Sequence, residues 1–131
     1  MTGKCNFYRC SICGNIVEHI IDGGGELVCC GQPMKLLVPN TVDASTEKHV
    51  PVVNKKDGVL QVKVGSVDHP MTKEHYIQFI YVCGETRKRR IDLTPEDKPG
   101  ASFVIGDEKI LAVYEYCNLH GLWVTENITE E

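Results

Sequence analysis

The feature that most constrains this chain is a cluster of cysteines near its N-terminus. Four of the seven cysteines lie between residues 10 and 30, in a glycine-rich segment. They are Cys10, Cys13, Cys29 and Cys30. A segment of fewer than about 40 residues buries too little apolar surface to fold without a staple. A metal ion held by four thiolates would supply that staple. The sequence therefore predicts a metal-stapled domain at residues 1–37 and a second domain at residues 38–131.

The adjacent cysteines predict an unusual backbone. Neighbouring side chains on an extended strand point to opposite faces, so Cys29 and Cys30 can bind one ion only where the chain bends sharply. The glycines at 23–25 and Gly31 would permit such a bend, and we expect a distorted tetrahedron. Zinc and iron both accept four thiolates, and the ligand types leave both metals open. A disulfide framework is a third alternative, which a reducing compartment disfavours. Four thiolates leave no position for a substrate, so this site is structural, electron-transferring or both.

Composition narrows the function classes. The net charge of −4 argues against non-specific nucleic-acid binding, which needs a basic surface. No apolar run approaches the roughly 20 residues of a membrane span, and the N-terminus lacks the hydrophobic region of a signal peptide. We therefore expect a cytoplasmic protein that binds neither nucleic acid nor membranes. In that compartment its cysteines are metal ligands or free thiols.

The remainder of the chain is predicted to form β-strands. The stretch GVLQVKVGSV alternates, with Leu60, Val62 and Val64 on one face and polar residues on the other. Further candidate strands are EHYIQFIYVC, ASFVIG, KILAVYEYC and GLWVTENI, separated by turn signals such as KKDG and PEDKPG. Several strands at this spacing predict an all-β protein whose second domain is an antiparallel β-sandwich.

A second group of metal-ligating residues lies in this β-rich domain. Four of the five histidines occur there, in EKHVP, DHPMTKEHY and CNLHGLW, together with one cysteine. They are His49, His69, His75 and His120, with Cys117. Any one histidine is more often a surface or core residue than a ligand. The short step from His69 to His75 crosses a loop, however, and can bring both imidazoles to one side of an ion.

These motifs, in this order, closely resemble desulfoferrodoxin, the two-domain form of superoxide reductase. The resemblance covers nearly the whole chain. It implies a desulforedoxin-like N-terminal domain followed by an immunoglobulin-like sandwich. It also implies two mononuclear non-haem iron ions per chain, which favours iron over zinc at the four cysteines. One departure is Phe79, where members of the family often carry tryptophan.

The resemblance also implies roles for individual residues. The four histidines would form an equatorial plane around iron, with Cys117 as the axial thiolate and the sixth position open in the ferrous state. Glu47 matches the glutamate that can occupy that position after oxidation, and Lys48 the lysine beside the open face. The implied activity is one-electron reduction of superoxide to hydrogen peroxide without production of dioxygen. A rubredoxin-like protein would restore the electron, and the protein would be a homodimer.

Two other classes of function stay open on the sequence alone. One is a non-catalytic iron protein, either an electron carrier or a redox sensor. The other is a zinc-ribbon-type binding module attached to a sandwich. Outside the two groups, we expect Cys5 to be a free thiol, Cys83 to be a small buried residue and Trp123 to pack near the His120 loop. The basic run at 86–90 could dock an acidic electron donor, although such runs are usually solvated faces.

Overall fold

The computed structural model describes residues 5–41, 48–66 and 68–129. The chain divides into two compact units, which span Lys4–Val38 and Pro39–Glu131. Every regular element among the described residues is a β-strand, which confirms the predicted all-β class. Within those residues, no helix has the length and apolar character needed to cross a membrane.

The smaller unit contains five short strands. They are β1 (Phe7–Arg9), β2 (Ile16–Glu18), β3 (Val28–Cys29), β4 (Gln32–Pro33) and β5 (Lys35–Leu36). A three-stranded antiparallel sheet has the order β2-β1-β5, and β3 and β4 form a separate hairpin. Its buried apolar side chains, among those described, are Cys5, Phe7 and Cys10. So small a core agrees with the argument that this segment needs a staple.

The turn between β3 and β4 supplies the sharp bend that the adjacent cysteines require. Cys29 pairs with Gln32, so the turn consists of Cys30 and Gly31 alone. Their φ angles are 53° and 77°, and positive φ at both central residues is what a type I′ hairpin turn requires. The bend was expected from the glycines alone. The structure shows that Cys30 itself adopts the left-handed conformation, beside Gly31.

The described residues of the larger unit form seven strands. They are β6 (Pro51–Lys56), β7 (Val59–Val64), β8 (Ile77–Gly84), β9 (Lys88–Asp92), β10 (Gly100–Val104), β11 (Ile110–Cys117) and β12 (Gly121–Glu126). They form two antiparallel sheets with the orders β10-β7-β6 and β12-β11-β8-β9. Three strands facing four in this order is the arrangement of immunoglobulin-like sandwiches, as predicted.

Residues from both sheets meet in one hydrophobic core. Leu60, Val62 and Val64 are buried along β7 while Gln61 and Lys63 are exposed, so the predicted alternation is confirmed. The opposite sheet contributes the buried residues of β8 and β11, the two central strands of that sheet. A core contributed by both sheets can serve as a rigid support for a site at the edge of the sandwich.

The topology brings three separate segments to one end of the sandwich. Pro51, the first residue of β6, pairs with Val64, the last residue of β7. Ile77, the first residue of β8, pairs with Cys117, the last residue of β11. The segment before β6, the connection from β7 to β8 and the turn from β11 to β12 therefore share this end. These are the segments that carry the four histidines and the cysteine.

Candidate metal centres

The first candidate centre is built from the four cysteines of the smaller unit. Their sulfur atoms all lie within 4.8 Å of one another. The sulfurs of Cys13 and Cys29 are 3.6 Å apart. Two sulfurs bound at about 2.3 Å in a tetrahedron would lie about 3.8 Å apart, so the cluster has the size that a single ion requires.

The surroundings favour the thiolate form of Cys10 and the thiol forms of Cys29 and Cys30. The backbone N–H groups of Cys13 and Ile12 lower the pKa of Cys10 to about 6. Hydrogen bonds with Cys13 and Cys10 favour the thiol form of Cys30 and raise its pKa to about 12. The pKa of Cys29 is also raised, chiefly through its hydrogen bond with Cys13. Four thiolates in this space therefore need a cation among them, which is the property of a metal site.

The second candidate centre lies at the end of the sandwich where the three segments meet. Its four histidines and Cys117 place ligand atoms within 4.8 Å of one another. The imidazole rings form a closed cycle of neighbours. The centroid distances are 4.6 Å for His49–His69, 4.8 Å for His69–His75, 5.1 Å for His75–His120 and 4.9 Å for His120–His49. His49 therefore lies opposite His75, and His69 opposite His120, as a square of donors around one ion would require.

The nitrogen positions fit this arrangement. Nδ1 of His69 lies 2.7 Å from the carbonyl oxygen of Pro70. A carbonyl only accepts, so Nδ1 carries the proton and Nε2 keeps a lone pair for a metal. Nε2 of His69 is 3.0 Å from Nε2 of His49, which is the edge of a square of nitrogens each about 2.1 Å from an ion. The sulfur of Cys117 is 3.8 Å from Nδ1 of His120.

The centre is buried on one side and reaches solvent on the other. Cys117, His49 and His69 are buried, whereas His75 is half-buried and His120 is exposed. Cys117 belongs to the hydrophobic core, so its sulfur lies on the inner side of the imidazole cycle. The pairing register of β11 with β8 shifts between Tyr116 and Cys117, and such breaks in a ladder are common beside functional sites because they re-aim side chains.

Trp123 links two of the histidines. Its ring stacks on His49 with centroids 4.7 Å apart and planes 11° apart. Its indole N–H donates to the carbonyl oxygen of His120 at 3.2 Å. The prediction that Trp123 packs near the His120 loop is confirmed. Sequence reasoning did not find the residues that hold the ligand segments by hydrogen bonds, namely Pro70, Thr72 and Asn118. Their only sequence signal is proximity to a candidate ligand.

The remaining residues singled out from the sequence lie outside the two donor groups. Lys48 is half-buried and precedes His49, whereas Glu47 lies outside the described residues. Cys5 and Cys83 are buried and belong to neither group. The basic run at 86–90 leads into β9, where Lys88 pairs with Cys83. By the rise of a strand, that position is roughly 20 Å along β8 from the histidines. A donor docked there would be remote from the second centre.

Comparison with known proteins agrees with both centres. The family described as "Desulfoferrodoxin, N-terminal domain" matches residues 2–37, and "Desulfoferrodoxin" matches residues 41–126. The chain belongs to the desulfoferrodoxin family. Desulfoferrodoxin domains bind iron, and each matched domain of this chain carries one of the two donor groups. The donor sets and their spacing fit that metal, since thiolates and imidazoles both suit iron.

Individual desulfoferrodoxins and related proteins show how far the likeness extends. A desulfoferrodoxin of Syntrophotalea carbinolica is 53% identical over 96% of this chain and 99% of its own length. A superoxide reductase of Pyrococcus abyssi is 37% identical, covering 64% of this chain and 89% of that protein. The solved superoxide reductase of Treponema pallidum aligns with a TM-score of 0.80 at 30% identity, covering 95% of this chain and 99% of that one.

Proposed function

We propose that this protein is a superoxide reductase that converts superoxide to hydrogen peroxide at its His4Cys centre. The observation that carries the proposal is the convergence of four imidazoles and one buried thiolate on a space the size of one ion. The similar proteins of Pyrococcus abyssi and Treponema pallidum are named for this activity. The reaction consumes one superoxide, one electron and two protons for each hydrogen peroxide, and it produces no dioxygen.

The four histidines and Cys117 would hold a ferrous ion, which would supply the single electron; zinc could not, because it has no redox chemistry. The protein contributes by setting the charge and access of the site. Four neutral imidazoles and one thiolate contribute a charge of −1, so the centre is a formal +1 with a divalent ion. That charge attracts a small anion even though the whole chain carries −4. With the sulfur of Cys117 buried below the imidazole cycle, the anion would approach from the opposite face.

Lys48 is proposed to attract superoxide and to hold the water that delivers a proton. We predict that Lys48→Ala slows superoxide capture by up to about tenfold at low ionic strength and reduces its salt dependence. Lys88→Ala removes the same charge at the other end of the sandwich and is the matched control. Equal salt dependence in all three proteins would contradict this role.

Glu47 is proposed to cap the sixth position after oxidation. The proposal rests on the family resemblance, because this residue lies outside the described part of the chain. We predict that Glu47→Ala retains iron but changes the absorption spectrum of the oxidised His4Cys centre. An unchanged spectrum at neutral and alkaline pH would count against a capping role.

The central test is stopped-flow mixing of the reduced, iron-loaded protein with superoxide. We expect rapid oxidation of the His4Cys centre with one hydrogen peroxide formed per centre and no dioxygen. The same chain loaded with zinc should be inert and serves as the control. An iron-loaded centre that does not react would leave an electron carrier or redox sensor as the function. Zinc at both sites in protein purified from its own cells would favour the binding module.

The electron donor is proposed to be a small rubredoxin-like protein that approaches His120. This ligand residue is exposed, whereas His49, His69 and Cys117 are buried, so its ring edge gives the shortest route from solvent. We predict that reduced rubredoxin restores the ferrous state within the turnover time. Leu119, which is 59% exposed beside His120, offers a test of the route. Leu119→Glu should slow reduction by the protein donor but not by dithionite.

The protein is proposed to be a homodimer located in the cytoplasm. The smaller unit exposes more than a third of each of seven apolar side chains, which a second copy could cover. They are Ile12, Val17, Ile20, Ile21, Val28, Leu36 and Val38. Light scattering should give twice the mass of one chain, and the double variant Ile20→Ser/Ile21→Ser should lower it. The seven cysteines form no disulfide, which suits a reducing compartment and can be tested by cell fractionation.

A further inference from the structure

Asn118 lies between two members of the His4Cys group and contacts the segment that carries a third. It occupies the turn between Cys117 and His120. Its side-chain oxygen accepts a hydrogen bond from the backbone N–H of Tyr76 at 3.0 Å. Its side-chain nitrogen donates to the carbonyl oxygen of Glu74, also at 3.0 Å. Its own backbone N–H donates to the carbonyl oxygen of Tyr76 at 3.3 Å.

These hydrogen bonds enclose His75 from both sides. Glu74 precedes His75 and Tyr76 follows it, so one amide side chain fixes the backbone on either side of the ligand. The amide orientation is determined, because the N–H of Tyr76 requires an acceptor and the carbonyl of Glu74 requires a donor. A hydroxyl, a carboxylate or an apolar group at this position could not satisfy both partners with the same geometry.

The other hydrogen bonds within residues 72–75 are local. The backbone N–H of Thr72 donates to the carbonyl of His75 at 2.9 Å, and the N–H of His75 donates back to the carbonyl of Thr72 at 3.1 Å. The hydroxyl of Thr72 also accepts from the N–H of His75, at 3.1 Å. Residues 72–74 are all exposed. The pairing of Ile77 with Cys117 joins β8 to β11 two residues after His75. Asn118 adds side-chain hydrogen bonds from the β11–β12 turn to the loop itself.

We propose that Asn118 is a positioning residue that holds His75 at the correct distance from Cys117 and His120. The inference rests on the proposed metal site, whose geometry it explains further. Ligand rings are held most firmly when groups outside the coordination sphere fix the backbone that carries them. Each hydrogen bond made by Asn118 joins parts of the chain more than 40 residues apart. Loss of both bonds should therefore loosen one corner of the imidazole cycle while the other three corners keep their supports.

The test is competition for Fe²⁺ between the intact chain and a coloured chelator, under anaerobic conditions. Asn118→Ala should weaken iron binding at the His4Cys group by about tenfold to a hundredfold. The thiolate-to-iron absorption band of the oxidised centre should also shift or broaden. Asn40→Ala is the matched control, because the Asn40 amide donates to the carbonyl of Leu122 at 3.4 Å in the same sandwich. Its iron affinity should stay within about twofold of the parent.

The outcomes separate positioning from general stability. Thermal unfolding of the metal-free chain should change in both variants, whereas affinity and absorption change only for Asn118→Ala. Parent affinity and an unchanged band in Asn118→Ala would overturn the proposal. If the alanine variant does not fold, Asn118→Leu keeps the bulk without the hydrogen bonds, and the same criteria apply to it. Failure of the unaltered chain to bind iron through His and Cys would instead overturn the proposed function.

Discussion

Glu108 offers a change that should weaken the sandwich while leaving the metal centre intact. It lies between β10 and β11, and one carboxylate oxygen accepts from the N–H of Thr86 at 2.8 Å, the hydroxyl of Thr86 at 3.0 Å and the N–H of Arg87 at 2.8 Å. The other oxygen accepts from Arg89 at 2.8 Å. The carboxylate therefore joins the β10–β11 turn to the β8–β9 turn.

The loss of stability expected in Glu108→Gln can be calculated from the shift in the pKa of the Glu108 carboxyl group. The N–H and hydroxyl of Thr86, with Arg89 and Arg87, lower the pKa of Glu108 from 4.5 to about 2. That difference corresponds to about 3 kcal/mol of stability at neutral pH. Solvent near this turn screens part of the interaction, so we expect Glu108→Gln to lower the free energy of unfolding by roughly 2 kcal/mol at pH 7.

The pH dependence has a definite sign. A carboxylate whose pKa is lower in the folded state contributes its full stability above the unfolded value near 4.5. The contribution is lost as the pH falls toward the folded value of about 2. The difference in unfolding free energy between the parent and Glu108→Gln should therefore be constant from pH 7 to pH 5.5. At pH 3 it should be less than half as large.

The assay is urea unfolding of the metal-free chain, followed by fluorescence. Trp123 is the only tryptophan, so its emission reports the sandwich alone. In the iron-loaded variant at pH 7, the ferric absorption band should equal that of the parent, because Glu108 lies roughly 20 Å from the histidines along β11. A difference below 0.5 kcal/mol at pH 7, a difference independent of pH, or an altered ferric band would refute the reasoning.

Three further predictions concern the two centres. Chelation of the metal should unfold the smaller unit but not the sandwich, so circular dichroism should change while Trp123 fluorescence is retained; simultaneous loss of both signals would contradict this. Gly31→Ala should destabilise the metal-loaded smaller unit by about 1–2 kcal/mol, since φ is 77° although an added methyl group has room. Gly23→Ala, in open space without a positive φ, is the control and should have little effect. Trp123→Phe should keep the stack on His49 but lose about 1 kcal/mol with the hydrogen bond to His120; an unchanged urea midpoint, followed by circular dichroism because the variant lacks the fluorophore, would refute that role.

Residue chemistry and spacing predicted the donor groups because metal ligands come from few residue types. The alternation along β7 predicted its buried face for a similar reason, since the side-chain period of a strand is two. Two strands of the sandwich were not recognised. β9 carries Lys88, Arg89 and Arg90 and lies at the edge of its sheet, where charged side chains are common. In the sequence alone, such a run of charges resembles a surface loop. β6 begins at Pro51 and ends in two lysines, so it lacks the alternation of apolar and polar residues that identifies a strand.

The interactions that shape each site were harder to predict than its ligands. The left-handed Cys30 could not be distinguished from its glycine neighbours, because the turn type depends on the pairing of β3 with β4. Asn118 reaches residues 42 and 44 positions away, and no local pattern reports a hydrogen bond of that span. The order of the imidazoles around the cycle likewise depends on which loops the folded sandwich places side by side.

The distribution of the donors along the chain sets the order in which a newly made protein can acquire its metals. The four cysteines are complete once residue 30 has left the ribosome, so the first ion can be captured while synthesis continues. The second set begins at His49 and is not complete until His120. Its ion must therefore wait for the finished sandwich.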